Sequence, residues 1–246
     1  GEHVFTPAIT LAEIELSTRP VVHYWEAKAG WARSREHGGE APFLSRDPGP
    51  RSDQLDLPPE GRVPLDQIHT FTGTLGEDGL FEWEVPAGEW TILRTGYTST
   101  GRTNSPATEE GRGLEADKLN GDAVRFHMEQ FIGTLAERYR EKGVESFSIF
   151  ETDSWESGAQ TWTRGLEERF AGSRGQDLVR WLPLITEGVI VEGYEESDRL
   201  LWDWRRFLAD EIAANYFEVT AGFAEEHGLI YVAEASGRQM FMYDPI

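Results

Sequence analysis

Two stretches of the chain share one pattern of apolar and polar positions: an amphipathic helix, a glycine, an apolar strand and then an acid. From Asp122 onwards, apolar residues recur at spacings of three and four, at Val124, Met128, Phe131, Leu135 and Tyr139. This spacing predicts one apolar stripe along a helix. Gly143 is expected to end the helix, and the run VESFSIF that follows is typical of a strand.

The second stretch begins at Ser197, which the pattern favours as an N-cap. A long amphipathic helix is predicted from the apolar positions Leu200, Leu201, Trp204, Phe207, Leu208, Ile212, Tyr216, Val219 and Phe223. Gly228 is expected to end it, and LIYVA follows as a strand. Helices alternating with strands predict parallel strands joined by crossover helices, so we expect an α/β fold.

Between residues 63 and 95 the pattern is different. Short alternating runs are separated by the turn signals EDG and PAG, and the apolar strand positions are Leu80, Trp83, Val85, Trp90, Ile92 and Leu93. This pattern predicts antiparallel hairpins. The preceding residues, 39–62, are rich in proline, glycine and charge, which favours a loop.

Acidic residues follow both predicted parallel strands. Glu151, Asp153 and Glu156 follow the first strand, and Glu234 follows the second. Because the carboxyl ends of parallel strands meet at one edge of a sheet, we expect these acids to share one rim. Glu156 is our candidate proton donor, since the neighbouring Trp155 can raise the pKa of a carboxyl by desolvation.

Each of these acids also has an ordinary structural interpretation. Glu156 could cap a helix or lie on the surface of so acidic a chain, and Glu234 could form a salt bridge to Arg238. Glu151 and Asp153 could be metal ligands or supports for them, because hard cations such as calcium bind several oxygens. Taken singly, a solvated surface position is the simpler interpretation of each.

A second polar group precedes the first helix. The stretch GRGLEADK contains Glu115, Asp117 and Lys118, which could clamp a polar ligand or could simply favour the helix N-terminus. Among the nine tryptophans, Trp155 and Trp162 lie near the acids and could stack on the apolar face of a sugar, whereas Trp204 has the spacing of a core residue.

The composition narrows the range of partners. The chain of 246 residues carries 23 basic and 44 acidic residues, a formal net charge of -21. Such a chain repels phosphate backbones and anionic headgroups, so we expect neither nucleic acid nor membrane partners. It has no cysteine, which excludes disulfides and thiolate zinc sites. No run of about 18 apolar residues and no signal peptide occur in it, and both ends are typical of cuts through a longer chain.

Five stretches, in this order, carry a resemblance to a known family: VVHYWEAKAGWAR, VPAGEWTILRTGYTSTGRTNSPATEEGRGLEADKL, DSWESGAQTWT, RWLPLITEGVIV and SDRLLWDWRRFLADEIAANY. Together they resemble glycoside hydrolase family 106, which contains α-L-rhamnosidases. The resemblance runs from about Val21 to Gly237, and the PA…GLEADK and DSWE blocks are its most specific parts.

The resemblance implies a catalytic (β/α)8 barrel, inverting chemistry and a calcium ion that helps to hold the sugar. We therefore expect an α/β fold comprising a partial (β/α)8 TIM-like barrel with an inserted antiparallel β-rich segment. Residues 1–20 would end a preceding β-domain. Residues 21–246 would form the N-terminal part of the barrel, with the loop at 39–62 and the hairpin insertion at 63–95.

The resemblance also assigns roles to residues. Glu156 in DSWE aligns with the general acid, whereas the general base belongs to a later acidic motif that this chain does not reach. Substrate-binding residues would be Glu115, Asp117, Lys118, Asp153, Trp155, Trp162 and Glu234, and calcium ligands would be Asp153 and Glu234. One departure is EASG around Glu234, where the family pattern has an aromatic residue near Ser236.

The function expected from these features is inverting hydrolysis of terminal α-L-rhamnosides in plant or microbial polysaccharides. Carbohydrate is the expected substrate. The expected protein partner is the missing remainder of the same longer chain, because family members far exceed 246 residues. The location is expected to be extracytoplasmic, either periplasmic or secreted. One alternative is a protein without catalysis, either a carbohydrate-binding protein or an inactive homologue that lacks the second carboxylate. The other alternative is a metal-dependent hydrolase of another substrate.

Overall fold

A computed structural model describes residues 18–31, 57–71, 76, 80–104, 107–153 and 160–234. Its α-helices are α1 (Trp25–Lys28), α2 (Gly121–Met128), α3 (Thr134–Glu141), α4 (Leu166–Arg174), α5 (Leu182–Glu187), α6 (Tyr194–Ile212) and α7 (Val219–Glu226). Short 3₁₀ turns occur at Pro59–Gly61, Leu65–Gln67 and Leu178–Trp181, and π-helical turns at Glu129–Gly133 and Ala213–Glu218. The strands are β1 (Ile149–Thr152) and β2 (Ile230–Ala233).

The two predicted helix–strand units are present, and their strands pair as expected. β1 and β2 run parallel in a register that joins Ile149 to Ile230 and Thr152 to Ala233. Glycines with positive φ, Gly143 (64°) and Gly228 (69°), follow the helices of both units. A residue in the left-handed conformation after a helix allows the chain to turn away, and glycine adopts this conformation at no steric cost.

The core has two parts. The larger part packs α6 against α4, α5 and the segment around Val22, and its fully buried residues include Trp204, Phe170 and Phe207. The smaller part fills the space between the strands and their helices, with Met128, Phe150, Phe223 and Leu229 among its members. Trp204 is thus a core residue as predicted, and its indole N–H donates to the Ala29 carbonyl at 3.1 Å.

The predicted fold class is wrong: in the described part of the chain, the two strands form one unclosed sheet, not a TIM-like barrel with an antiparallel β-rich insertion. Residues 80–104 are extended but form no strand, and their only bridge joins Thr103 to Leu114. Alternating apolar residues favour an extended chain, but a strand also needs a hydrogen-bonding partner. Without one, Leu80 and Ile92 remain 67% and 73% exposed.

The aromatic residues of this extended segment pack on each other instead of across a hairpin. The rings of Phe71 and Phe81 lie 4.8 Å apart, and those of Trp83 and Trp90 meet edge-to-face at 4.9 Å. The predicted domain end at 1–20 and loop at 39–62 lie largely outside the described residues, so those assignments stay predictions.

The π turns explain one error in the predicted helix stripe. Val124 and Met128 are buried as expected, but Phe131 is 57% exposed, and burial resumes at Gly133 and Ala136. The turn at Glu129–Gly133 holds one residue more than an α-helical turn, so the buried stripe moves along the sequence. A regular spacing of three and four cannot reveal that shift.

The predicted N-cap at Ser197 is also wrong. The helix begins one turn earlier, at Tyr194, with Gly193 as the capping residue. Ser197 is fully buried inside α6, where its hydroxyl accepts from the Val191 N–H and donates to the Val191 carbonyl, both at 2.9 Å. The Ser197 hydroxyl therefore binds a neighbouring backbone segment and does not cap the helix.

No helix within the described ranges is long and apolar enough to cross a membrane.

Candidate active site

The carboxyl ends of the two strands bring two of the predicted acids to one edge of the sheet. The N–H of Glu234 donates to the Thr152 carbonyl at 3.0 Å, which continues the parallel ladder one step beyond the strands. Asp153 follows Thr152 directly, so Asp153 and Glu234 leave the sheet side by side. Both are exposed. We call this pair the strand exits.

Hydroxyl groups lie just inside the strand exits. Thr152 Oγ1 and the Tyr231 hydroxyl are 2.8 Å apart, and Tyr216 also hydrogen bonds to Thr152. Burial raises the pKa of both tyrosines, so each hydroxyl keeps its proton at neutral pH. The sheet edge therefore offers neutral hydroxyls beneath exposed carboxylates.

The GLEADK stretch forms a second polar group, the 115–118 loop. Lys118 is only 8% exposed, and its ammonium lies 2.6 Å from Glu115 Oε2. An ammonium taken out of water needs such a counter-charge, since the unpaired ion would be very costly to bury. The predicted clamp thus contains a paired lysine and glutamate before any ligand arrives.

Asp117 faces the interior of the loop. Its Oδ1 accepts from the Leu119 N–H at 3.0 Å and from the Gln160 amide, and its Oδ2 accepts from the Thr163 hydroxyl at 2.5 Å. The Gln160 side chain also accepts from the Lys118 N–H at 3.1 Å. Both oxygens of Asp117 therefore hold the loop to residues 160–163, while a role in substrate binding stays a prediction.

Tyr216 joins the loop to the strand exits, and the sequence pattern did not identify it as a site residue. Its ring lies beneath the Lys118 ammonium, 5.9 Å from nitrogen to centroid, and its hydroxyl bonds to Thr152. At helical spacing Tyr216 was assigned to the apolar stripe. Gln160 and Thr163 were missed because their partner, Asp117, is more than forty residues away in sequence.

The predicted aromatic residues have different positions. Trp162 is partly buried between Tyr97, at a ring distance of 6.3 Å, and the core residue Trp204, at 6.2 Å. Tyr97 is 57% exposed, so it covers part of Trp162 from the solvent side. Trp155 and the candidate proton donor Glu156 lie outside the described residues, and their roles stay predictions.

The described residues do not complete a metal site. Among them, no group of three or more histidine, cysteine, aspartate or glutamate side chains could hold an ion. Calcium requires six to eight oxygen ligands. The two carboxylates at the strand exits are too few to hold such an ion by themselves.

Comparisons with known proteins agree on glycosidase relatives, although the named sugars differ. A family model described as α-L-rhamnosidase, glycoside hydrolase family 106, matches residues 3–245. A rhamnosidase structure from Novosphingobium sp. PP1Y superposes with a TM-score of 0.66 at 31% identity, covering 90% of this chain and 20% of that one. A protein of Formosa agariphila named "Putative beta-glucuronidase" is 36% identical over 178 residues, 72% of this chain and 15% of that protein.

These matches place the chain among the glycoside hydrolases. More narrowly, the chain belongs to glycoside hydrolase family 106, the α-L-rhamnosidase family. It spans about a fifth or less of the length of the relatives named above.

Proposed function

We propose that the protein carrying this chain hydrolyses terminal α-L-rhamnosides with inversion of the anomeric centre. The observation that carries the proposal is the family match over residues 3–245, supported by the rhamnosidase structure at 31% identity. The name of the Formosa relative supports glycosidase chemistry in general and not this sugar. Plant or microbial polysaccharides are the proposed source of substrate, and we place the reaction outside the cytoplasm, where such polymers occur.

The proposed proton donor is Glu156. In inverting glycosidases one carboxylic acid protonates the departing oxygen, while a second carboxylate about 6.5–9.5 Å away activates water on the opposite face of the sugar. Glu156 lies in sequence between the strand exit at Asp153 and Gln160, which anchors the following residues to the 115–118 loop. We assign no general base within this chain.

Substrate contact is assigned to both polar groups. A sugar presents vicinal hydroxyls, which can donate to carboxylates and accept from an ammonium. The Asp153 and Glu234 carboxylates would accept from these hydroxyls, and Lys118 with Glu115 would offer a paired donor and acceptor. Trp155 and Trp162 are the proposed stacking surfaces for the apolar sugar face.

Calcium stays a proposal based on the family resemblance. Asp153 and Glu234 are the two described residues that we assign to the ion, and its other ligands would come from elsewhere in the protein. The ion would screen the two carboxylates and orient sugar hydroxyls.

The test uses the full-length protein with 4-nitrophenyl α-L-rhamnoside, the matching β-glucuronide and 4-nitrophenyl phosphate. We expect release only from the rhamnoside, and NMR should show the β-anomer of rhamnose forming first. Glu156→Gln should lower the rate on a rhamnoside with an unactivated alcohol leaving group by about 10²–10⁴-fold, because such an alkoxide needs a proton. The matched control is Glu145→Gln, an exposed acid ahead of β1.

Two results would contradict the proposal. Hydrolysis of the glucuronide or the phosphate ester in place of the rhamnoside would refute the substrate. Rhamnose binding without turnover by the full-length wild type would make it a carbohydrate-binding protein.

A further inference from the structure

The helix that leads into β2 contains a π turn at Ala213–Glu218, between α6 and α7. The buried Thr220 lies eight positions after the buried Ile212. In an uninterrupted α-helix, at about 100° per residue, they would turn about 800° and point about 80° apart. The wider turn absorbs this difference and keeps both residues in the core. Such single-turn insertions are frequent at functional sites.

The π turn directs polar side chains toward the candidate site. The Asn215 amide oxygen accepts from the Gly121 N–H at 3.2 Å, at the start of α2, and its nitrogen donates to the Glu211 carbonyl at 2.8 Å. The turn is thereby fixed to the chain that follows the 115–118 loop. Ala213 and Ala214, in contrast, are exposed on the opposite side.

Tyr216 is the residue of this turn that contacts the site. Its ring lies under the buried Lys118 ammonium at 5.9 Å, and its hydroxyl bonds to Thr152, the last residue before Asp153. Glu115 is close enough to raise the pKa of the phenol further. One side chain therefore touches the 115–118 loop and the strand residue that directly precedes Asp153.

We propose that Tyr216 is a positioning residue for sugar binding, placed there by the π turn. Its ring holds the Lys118 ammonium in the orientation that binds substrate, since a desolvated cation over an aromatic face is attracted to it. Its hydroxyl holds Thr152, and so fixes where Asp153 leaves the sheet. This inference rests on the rhamnosidase function proposed above.

The test compares Tyr216→Leu and Tyr216→Phe in the full-length protein. Tyr216→Leu removes the ring face and should raise KM for 4-nitrophenyl α-L-rhamnoside by about 3- to 30-fold, with a smaller change in kcat. Tyr216→Phe keeps the ring, so KM should change less than in Tyr216→Leu. The matched control is Phe131→Leu, an exposed ring in the other π turn, which should leave KM unchanged.

A reaction-free measurement separates this inference from the proposed function. Reductive methylation of Lys118, followed by peptide mass spectrometry, should be slow in the wild type because the ammonium is buried. It should be faster in Tyr216→Leu but not in Phe131→Leu. If no rhamnoside is hydrolysed but Lys118 reacts in this order, the assigned activity fails while the positioning by Tyr216 stands.

Deleting Ala214 tests the π turn itself. The deletion should convert the turn to regular helix while keeping the buried faces of α6 and α7 nearly aligned. It should raise KM and the rate of Lys118 methylation, as expected for Tyr216→Leu. Equal KM and equal Lys118 reactivity in the wild type, Tyr216→Leu and Phe131→Leu would overturn the proposal. Should the deletion variant fail to fold, this comparison of the point variants decides alone.

Discussion

The Thr163 hydroxyl donates to the Asp117 carboxylate at 2.5 Å, and the two residues are 46 positions apart in sequence. Thr163 is 5% exposed, so this bond forms away from solvent. It joins the 115–118 loop, which precedes α2, to the residues that follow the DSWE motif in sequence. The predicted ligand clamp is thus tied to residues 160–163, which follow the predicted acid motif in sequence.

Removing that hydroxyl should destabilise the protein. Thr163→Val keeps the shape of the side chain but leaves Asp117 Oδ2 without this donor, which we expect to lower the free energy of unfolding by about 1–3 kcal/mol. Denaturant unfolding of the full-length protein would measure it. Thr163→Ser keeps the hydroxyl and serves as the control; an equal loss in both variants would assign the effect to the methyl group.

Gly188 should accept no side chain. Its φ is 67°, and a Cβ built on it would lie 2.3 Å from Trp25 Cδ1. Left-handed strain alone costs about 1–2 kcal/mol, and the overlap would displace the indole as well. We expect Gly188→Ala to lower the melting temperature clearly in a thermal scan.

Gly172 provides the matched control. It lies in the exposed part of α4 with open space around its Cβ position, so alanine there should stabilise the helix by about 0.5–1 kcal/mol. Opposite shifts from the same substitution would confirm the packing at Gly188, and a neutral Gly188→Ala would contradict it.

Stability should respond to acid through Glu226. The Arg125 guanidinium on α2 bonds both oxygens of this carboxylate on α7, at 3.1 and 2.5 Å, and that hydrogen bonding lowers the pKa of Glu226. Because the pKa is lower in the folded state, the ion pair stabilises fully above the ordinary value of 4.5 and is lost as pH falls through the folded value.

Glu226→Gln should therefore lower the melting temperature at neutral pH, with a small effect at this exposed position. The difference from the wild type should shrink toward zero in strong acid. Glu225→Gln, an exposed neighbour, is the control, and a difference that persisted unchanged at low pH would show that the carboxylate charge is not the cause.

Removal of divalent cations tests the calcium proposal. Treatment of the full-length protein with EDTA should lower both rhamnosidase activity and melting temperature, and added calcium should restore them. Asp153→Asn and Glu234→Gln should require more calcium for the same restoration, since each removes a charged oxygen ligand. If the chelated protein keeps its activity and melting temperature, neither residue holds a necessary ion.

The sequence allowed the helix–strand units to be predicted because each depends on local periodicity. Gly143 and Gly228 follow the predicted helices, and β1 and β2 are parallel as their crossover connection requires. Local patterns could not show how many strands pair, so the barrel and the hairpins at 63–95 were wrong. They also could not show the π turns, which displaced burial from Phe131 to Gly133.

In the candidate site, the charged residues could be picked out from the sequence, but a residue that connects them could not. The carboxylates of Asp153 and Glu234 do share a sheet edge, and Lys118 and Glu115 are paired in one loop. Tyr216 was missed because a tyrosine at helical spacing looks like any core residue. Only contacts between distant segments distinguish it, and those contacts do not appear in the order of residues.

The spread of the site along the chain has a consequence for how it forms during folding. Lys118, Thr152 and Tyr216 come from three separate segments, and Gln160 and Thr163 from a fourth. Bringing them together requires closure of several long loops, whose entropy must be lost before the contacts compensate for it. During refolding, ligand binding should consequently appear late. It should follow the recovery of helical circular dichroism and require that both helix–strand units have packed together.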